Sequence, residues 1–150
     1  LFAKSEKAKR FLQDHWDETD KYYLAIVHGR LSTPEGKIST YLAENKAQNV
    51  YSTSDAAKGK LSHTEYRVLQ ETRGNSLVEV HLLTGRKHQI RVHFAEQGHP
   101  VLGDRKYGTT ARAAKRLALH ARTISFLHPF NGRRMKFDTG VPEDFVRMLG

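Results

Sequence analysis

Two alternating apolar runs separated by a short turn constrain this chain most. Residues 62–71 place Thr64, Tyr66 and Val68 on one side, and residues 76–83 place Val78, Val80 and Leu82 on one side. Alternation with a period of two marks a strand with one buried face. Arg73-Gly74-Asn75 lies between the runs. Turn residues between two such runs predict an antiparallel hairpin.

The remainder supplies partners for that hairpin. Residues 21–29 are rich in β-formers and end at Gly29, which predicts a strand. Shorter strands are predicted at 37–42 and 49–53, then a flexible loop at 54–59. Two more are predicted at 117–128 and 134–138, around Pro129-Phe130-Asn131-Gly132. Helices are predicted at 5–18, where Ala8, Phe11, Leu12 and Trp16 form a stripe and Ser5 caps the start. Others are expected at 86–97, stopped by Gly98 and Pro100, and at 142–149, opened by Pro142. Residues 109–116 read as a polar loop or short helix. Runs of strands with interspersed helices, rather than regular alternation, imply an α+β fold with a mixed, mostly antiparallel sheet flanked by helices. With 150 residues, no repeat and no evident linker, residues 1–150 are expected to share one core.

The basic residues are unevenly placed. The net charge is +9. Between residues 81 and 122 there are nine Lys or Arg against two acids, Glu96 and Asp104, a balance of +7. Five of the nine histidines fall there too. Such a segment fits a phosphate backbone, although charge alone also fits a membrane surface or an acidic protein. There is no cysteine, which excludes disulfides and cysteine-based zinc sites. No apolar run approaches the ~20 residues of a membrane span. The spacings of His81, His88, His93 and His99 give no pair four residues apart, as a zinc helix would need. No phosphate-cradling glycine motif and no Gly-x-Ser-x-Gly elbow is present.

Residues 81–108 concentrate planar and cationic donors, with Arg86, Lys87, His88, Gln89 and Arg91 in the first turns of the basic helix. Ile90 and Phe94 are expected to pack downward. Spacing alone reads Arg91 as an exposed arginine whose stem lies on the core. Its neighbours Ile90 and Val92 also make it the best candidate for a partly buried guanidinium that forks onto a carboxylate or phosphate. Tyr22 and Tyr23 must face opposite ways. Asp104, between Gly103 and Arg105, reads as a turn-former or salt-bridge partner.

Leu83-Thr-Gly-Arg-Lys-His-Gln-Ile-Arg-Val-His93 followed by Gly98-His-Pro-Val-Leu-Gly-Asp-Arg-Lys-Tyr-Gly108 resembles the signature of RNA pseudouridine synthases of the RluA-like branch. Lys21–Gly29 resembles that family's Lys-x-Tyr-x-Ala-x-Val-x-Gly strand. Arg116-Leu-Ala-Leu-His-Ala121 and Phe126-Leu-His-Pro129 resemble two further motifs, in the family's order. The resemblance implies the pseudouridine synthase catalytic fold with its N-terminal part missing. It also implies isomerisation of specific uridines in ribosomal or transfer RNA by base flipping and C-glycoside formation. By the same resemblance Tyr23 stacks on the target base, Arg91 pairs with the catalytic aspartate and Leu119 packs in the floor of the site. The basic stretch then implies RNA contacts from Arg86, Lys87, His88, Arg105, Lys106 and Arg116. No metal, organic cofactor or obligate protein partner is implied, and the setting is cytoplasmic. The family's nucleophile is an aspartate in a His-Arg-Leu-Asp segment that leads into Leu-Phe-Ala-Lys. This chain opens at Leu1-Phe-Ala-Lys4. The aspartate is therefore expected upstream of Leu1, and the 150 residues alone are expected to be inactive. Two other readings stay open: a non-catalytic RNA-binding or ribosome-assembly module, and a basic structural protein.

Overall fold

The computed structural model of the protein describes residues 1–108 and 114–150. Its strands are β1 (Asp20–His28), β2 (Glu35–Glu44), β3 (Val50–Thr53), β4 (Lys60–Glu71), β5 (Asn75–Leu82), β6 (Leu119–Leu127) and β7 (Arg134–Asp138). They form one sheet in the order β3-β2-β4-β5-β1-β6-β7. The predicted hairpin is β4–β5, with Thr64 opposite Leu82, Tyr66 opposite Val80 and Val68 opposite Val78. The six residues named from alternation therefore share one face. Thr72 N–H donates to the Asn75 carbonyl at 2.9 Å and closes the turn.

Every strand pairing between the described residues is antiparallel, so the sheet is not mixed. A parallel pair would need a crossover of a dozen or more residues. The connection from β5 to β6, residues 83–118, is that long, but β1 lies between those two strands and pairs antiparallel with both. β1 lies between β5 and β6, and Leu24 to Val27 are buried on both faces. That explains why β1 reads as an unbroken apolar run while β4 and β5 alternate.

The helices are α1 (Glu6–Asp14), α2 (Gln89–Glu96) and α3 (Glu143–Leu149). Ser5 caps α1 as expected, its hydroxyl accepting from Ala8 N–H at 3.2 Å. The helix ends before Trp16 because the His15 ring stacks on Phe11 and bonds the Phe11 carbonyl at 2.8 Å. A separate 3-10 turn covers Trp16–Glu18. Helix α2 starts three residues later than its sequence pattern suggests. Arg86, Lys87 and His88 belong to the turn before it, with His88 in the left-handed region at φ 54°. The expected loop or helix at 109–116 lies mostly outside the described residues.

Helix α2 covers the face of the sheet that carries Tyr66 and Val80. Ile90 and Phe94 are buried as expected, and Phe94 meets the edge of the Tyr66 ring at 5.6 Å. His93 is a polar group fully inside this layer. Its Nε2 faces Thr40 Oγ1 at 2.8 Å and its Nδ1 faces Thr64 Oγ1 at 2.7 Å. Both ring nitrogens are satisfied by hydroxyls that can donate or accept, so a neutral imidazole fits. Burial pushes its pKa down from 6.5 to about 4.

The folded pKa lies below the unfolded one, so unfolding takes up a proton in this interval. The contribution of His93 is complete above pH 6.5 and is lost as pH falls toward about 4. The slope is at most about 1.4 kcal/mol per pH unit. Urea unfolding at pH 7.5 and pH 5 is expected to show this loss, and His93→Gln to flatten it. An equal slope in wild type and variant would assign the pH dependence to other groups.

Candidate active site

Tyr23, Arg91 and Leu119 come from β1, α2 and β6 and line one cavity of about 300 Å³, with Leu82, Arg86, His88, Gln89, Ile90 and Leu117. This is the small end of the range for ligand-binding cavities. Strand alternation puts Tyr23 there and sends Tyr22 to the other face, where its ring stacks on His81 at 4.4 Å. Leu119 pairs with Ala25, two residues along from Tyr23, and so shares its face. The Tyr23 hydroxyl makes no hydrogen bond to a described residue. Burial raises its pKa, so it is a neutral O–H at physiological pH.

The position of Arg91 depends on the loop after α2. Residues 100–102 run beside β1: His28 N–H donates to the Pro100 carbonyl at 3.0 Å, and Leu102 N–H to the Ile26 carbonyl at 2.9 Å. Ala118 N–H donates to the Leu102 carbonyl at 2.9 Å. At Gly103 φ is +77°, and a Cβ there would collide with the Arg116 carbonyl. Only glycine permits that approach. The next residue, Asp104, is thereby delivered beneath Arg91.

Arg91 is held as a fork. Its Nε donates to Asp104 Oδ2 at 2.9 Å and its Nη2 to Oδ1 at 2.8 Å. The Asp104 carboxylate is fully buried, and the Arg91 side chain is 18% exposed. Oδ1 also accepts the backbone N–H groups of Lys106 and Tyr107, both at 3.0 Å. Burial raises the Asp104 carboxyl, but the Arg91 hydrogen bond and those two N–H groups outweigh it and hold it below its ordinary value. The Arg91 pKa is raised, chiefly by the same hydrogen bond. The salt-bridge reading of Asp104 therefore holds, and Arg91 is not the exposed group that its spacing suggests. Arg91 Nη1 donates to no described residue.

The Tyr107 ring lies 5.1 Å from the Arg91 guanidinium. Its hydroxyl accepts from Val50 N–H at 3.0 Å and faces His88 Nδ1 at 2.7 Å. The hydroxyl hydrogen is then available to His88. Burial, followed by the nearby Arg91, Lys106 and Lys87, lowers the His88 pKa and keeps the ring neutral.

The sequence named Gln89 only among the donors of the basic helix and gave neither it nor Tyr107 a role in the site. Gln89 is 2% exposed. Its Nε2 donates to the His63 carbonyl and Thr64 Oγ1, both at 2.9 Å. Its Oε1 accepts from Thr84 Oγ1 at 2.8 Å and from Arg86 N–H at 3.0 Å. These bonds draw residues 84–88 into a turn instead of a helix. A polar residue beside Ile90 on the buried side was the available signal.

The basic residues have separate employments. Arg86 and His88 reach the cavity. Lys87 pairs with Glu44 at 2.7 Å. Arg105 is exposed, and Lys106 Nζ donates to the Gln48 carbonyl at 2.9 Å. Arg116 forks onto Asp144 with its Nε at 2.6 Å, anchors α3 and does not line the cavity. Lys21, half-buried two residues before Tyr23, stands 5.4 Å from the Trp16 ring and has no carboxylate partner among the described residues. Burial lowers its pKa. The four histidines His81, His88, His93 and His99 have four different sets of partners.

A ring, a phenol, a partly uncommitted guanidinium and an apolar floor suit a planar hydrogen-bonding ligand. The sequence profile described as RNA pseudouridylate synthase matches residues 1–96, and the chain belongs to that family. An uncharacterized RNA pseudouridine synthase of Mycobacterium bovis is 38% identical over 156 residues, which takes in 99% of this chain and 50% of that protein. Ribosomal large subunit pseudouridine synthase D of Zymomonas mobilis is 37% identical over 136 residues, 83% of this chain and 42% of its own. The solved structure of human RNA pseudouridylate synthase domain containing 1 superposes with a TM-score of 0.77 at 27% identity, covering 96% of this chain and 62% of that one. The chain spans about half the length of the curated relatives it matches.

Replacing Asp104 leaves a largely buried guanidinium without its charged partner. Asp104→Asn is expected to lose about 3 kcal/mol of stability at neutral pH, read from urea unfolding. A loss below about 0.5 kcal/mol, the range of an ordinary surface substitution, would show that the fork is not structural.

Proposed function

We propose that the protein isomerises uridine to pseudouridine in RNA, with Tyr23, Arg91 and Leu119 handling an extruded uracil. The convergence of these three residues on one cavity carries this reading. A uridine in structured RNA must leave its stack to reach such a site, at a cost of roughly a few kcal/mol. The Tyr23 ring lies against the base, with its neutral hydroxyl within reach of a ring oxygen or nitrogen. Leu119, Leu82 and Ile90 exclude water. Arg91, immobilised by Asp104, keeps Nη1 for a carboxylate or for the nucleotide.

The reaction breaks the bond from ribose C1′ to uracil N1, turns the base and joins C1′ to C5. The C5 hydrogen leaves as a proton and N1 gains one, so no net redox change occurs. The reaction in this reading needs a carboxylate. None of the residues lining the cavity supplies one, and Asp104 is buried with both oxygens occupied. The nucleophile in this reading is the family's aspartate, outside the 150 residues. The RNA is ribosomal or transfer RNA of the cytoplasm, and the name of the Zymomonas mobilis relative favours the ribosomal large subunit.

Loss of tritium from C5-labelled uridine reports the reaction directly. In the full-length protein, Tyr23→Phe is expected to slow release by roughly 10²-fold or more while RNA binding persists. The isolated 150 residues are expected to release none. Turnover by the isolated chain would mean that a carboxylate within it serves. An undiminished Tyr23→Phe would remove Tyr23 from the chemistry.

A further inference from the structure

A second concavity of about 330 Å³ lies where the β2–β3–β4 end of the sheet meets the turn before α2. Leu42 and Val50 line its base, and Lys58, Lys60, Arg86 and Lys87 stand around it with one acid, Glu44. Glu44 is held by Lys87 at 2.7 Å. Lys58, Lys60 and Arg86 have no carboxylate partner among the described residues, so three positive charges remain uncompensated.

The cations are presented by firm backbone. Lys58 and Gly59 N–H groups donate to the Asp55 carbonyl at 3.0 and 3.1 Å. A Cβ at Gly59 would come within 2.8 Å of both Thr53 Cγ2 and Tyr41 Cβ, so the Lys58-Gly59-Lys60 segment lies tight against β2 and β3. Lys60 pairs with Leu42 and shares its face. Arg86 Nη2 donates to the Leu61 carbonyl at 3.2 Å, which points the guanidinium toward β4. Arg86 lines both this concavity and the cavity of Tyr23 and Arg91. The two hollows are therefore adjacent on one face of the sheet.

We propose that this second concavity binds phosphodiester groups of the RNA strand flanking the nucleotide held at Tyr23, with Lys58, Lys60 and Arg86 as its cations. The inference rests on the RNA reading above and extends it to a site that neither fold nor charge count had singled out. A strand whose base enters the Tyr23 cavity passes Arg86 and continues over Lys60 and Lys58. Its phosphates displace condensed counterions there, and each neutralised phosphate adds to the salt dependence of binding.

The test uses the full-length protein, a fluorescein-labelled uridine homopolymer and anisotropy over a series of salt concentrations. Lys58→Ala/Lys60→Ala is expected to weaken binding at least fivefold near physiological salt. The slope of log affinity against log salt should become shallower by about 0.7 to 1.4, as expected for losing one or two phosphate contacts on a single strand. Lys58→Glu/Lys60→Glu should weaken binding further. Arg133→Ala/Lys136→Ala, which removes two exposed charges at the β6–β7 end, serves as the control and is expected to match wild type. Affinity and slope of the Lys58/Lys60 variants within twofold of the control, with unchanged circular dichroism, would overturn the site. Tritium release separates this outcome from failure of the functional reading. A wild-type protein that isomerises uridine while the lysine variants bind normally refutes the phosphate site alone. A wild-type protein that binds through Lys58 and Lys60 but never releases tritium refutes the isomerase reading alone.

Discussion

The bidentate contact between Arg91 and Asp104 is the interaction on which the site depends. It joins a helix on the sheet to a loop threaded along β1, at a place where neither charge is fully hydrated. Such a pair is stable only when desolvation is met by geometry and by further hydrogen bonds. Asp104 has both, since two backbone N–H groups complete the shell of its carboxylate. The loop in turn is fixed by its backbone bonds to β1 and β6 and by the approach that Gly103 allows. An arginine held by one edge of its fork in this way keeps a defined direction for its other edge. That is what a reaction needs from a positively charged partner: orientation already established before the ligand arrives.

The sheet performs the complementary task. β1 is its most buried strand, flanked by β5 and β6 and then by residues 100–102. Tyr23 stands where the buried run of β1 gives way to a cavity. Rigid neighbours on both sides hold the ring. Above it, the Gln89 side chain gathers β4 and the turn at 84–88 into one hydrogen-bonded unit. Arg86 and His88 thus stand on a braced turn rather than on a free helix end.

What was legible in the sequence followed the range of the interaction. The β4–β5 hairpin, the run of β1, the Ser5 cap and the register that separates Tyr22 from Tyr23 are short-range, and periodicity displays them. The α+β class and membership of the pseudouridine synthase family were readable as well, the latter through motifs spread from Lys21 to Pro129. The start of α2 was misplaced because Gln89 is drawn to His63 and Thr64, which lie 25 or more residues away. Arg91 looked exposed from spacing because its partner arrives by a loop whose docking no helical period encodes. Counting charges likewise could not tell that Arg116 is taken by Asp144 or Lys87 by Glu44. It also passed over Lys58 and Lys60, which lie outside the basic stretch in sequence and beside it in space.

The most direct measurement is a structure of the full-length protein bound to an RNA that carries its target uridine. An extruded uracil is expected against the Tyr23 ring, with an Arg91 nitrogen within about 3 Å of the nucleotide or of the attacking carboxylate. A uridine still stacked in its helix, with the Tyr23 and Arg91 cavity empty of any nucleotide, would contradict that placement.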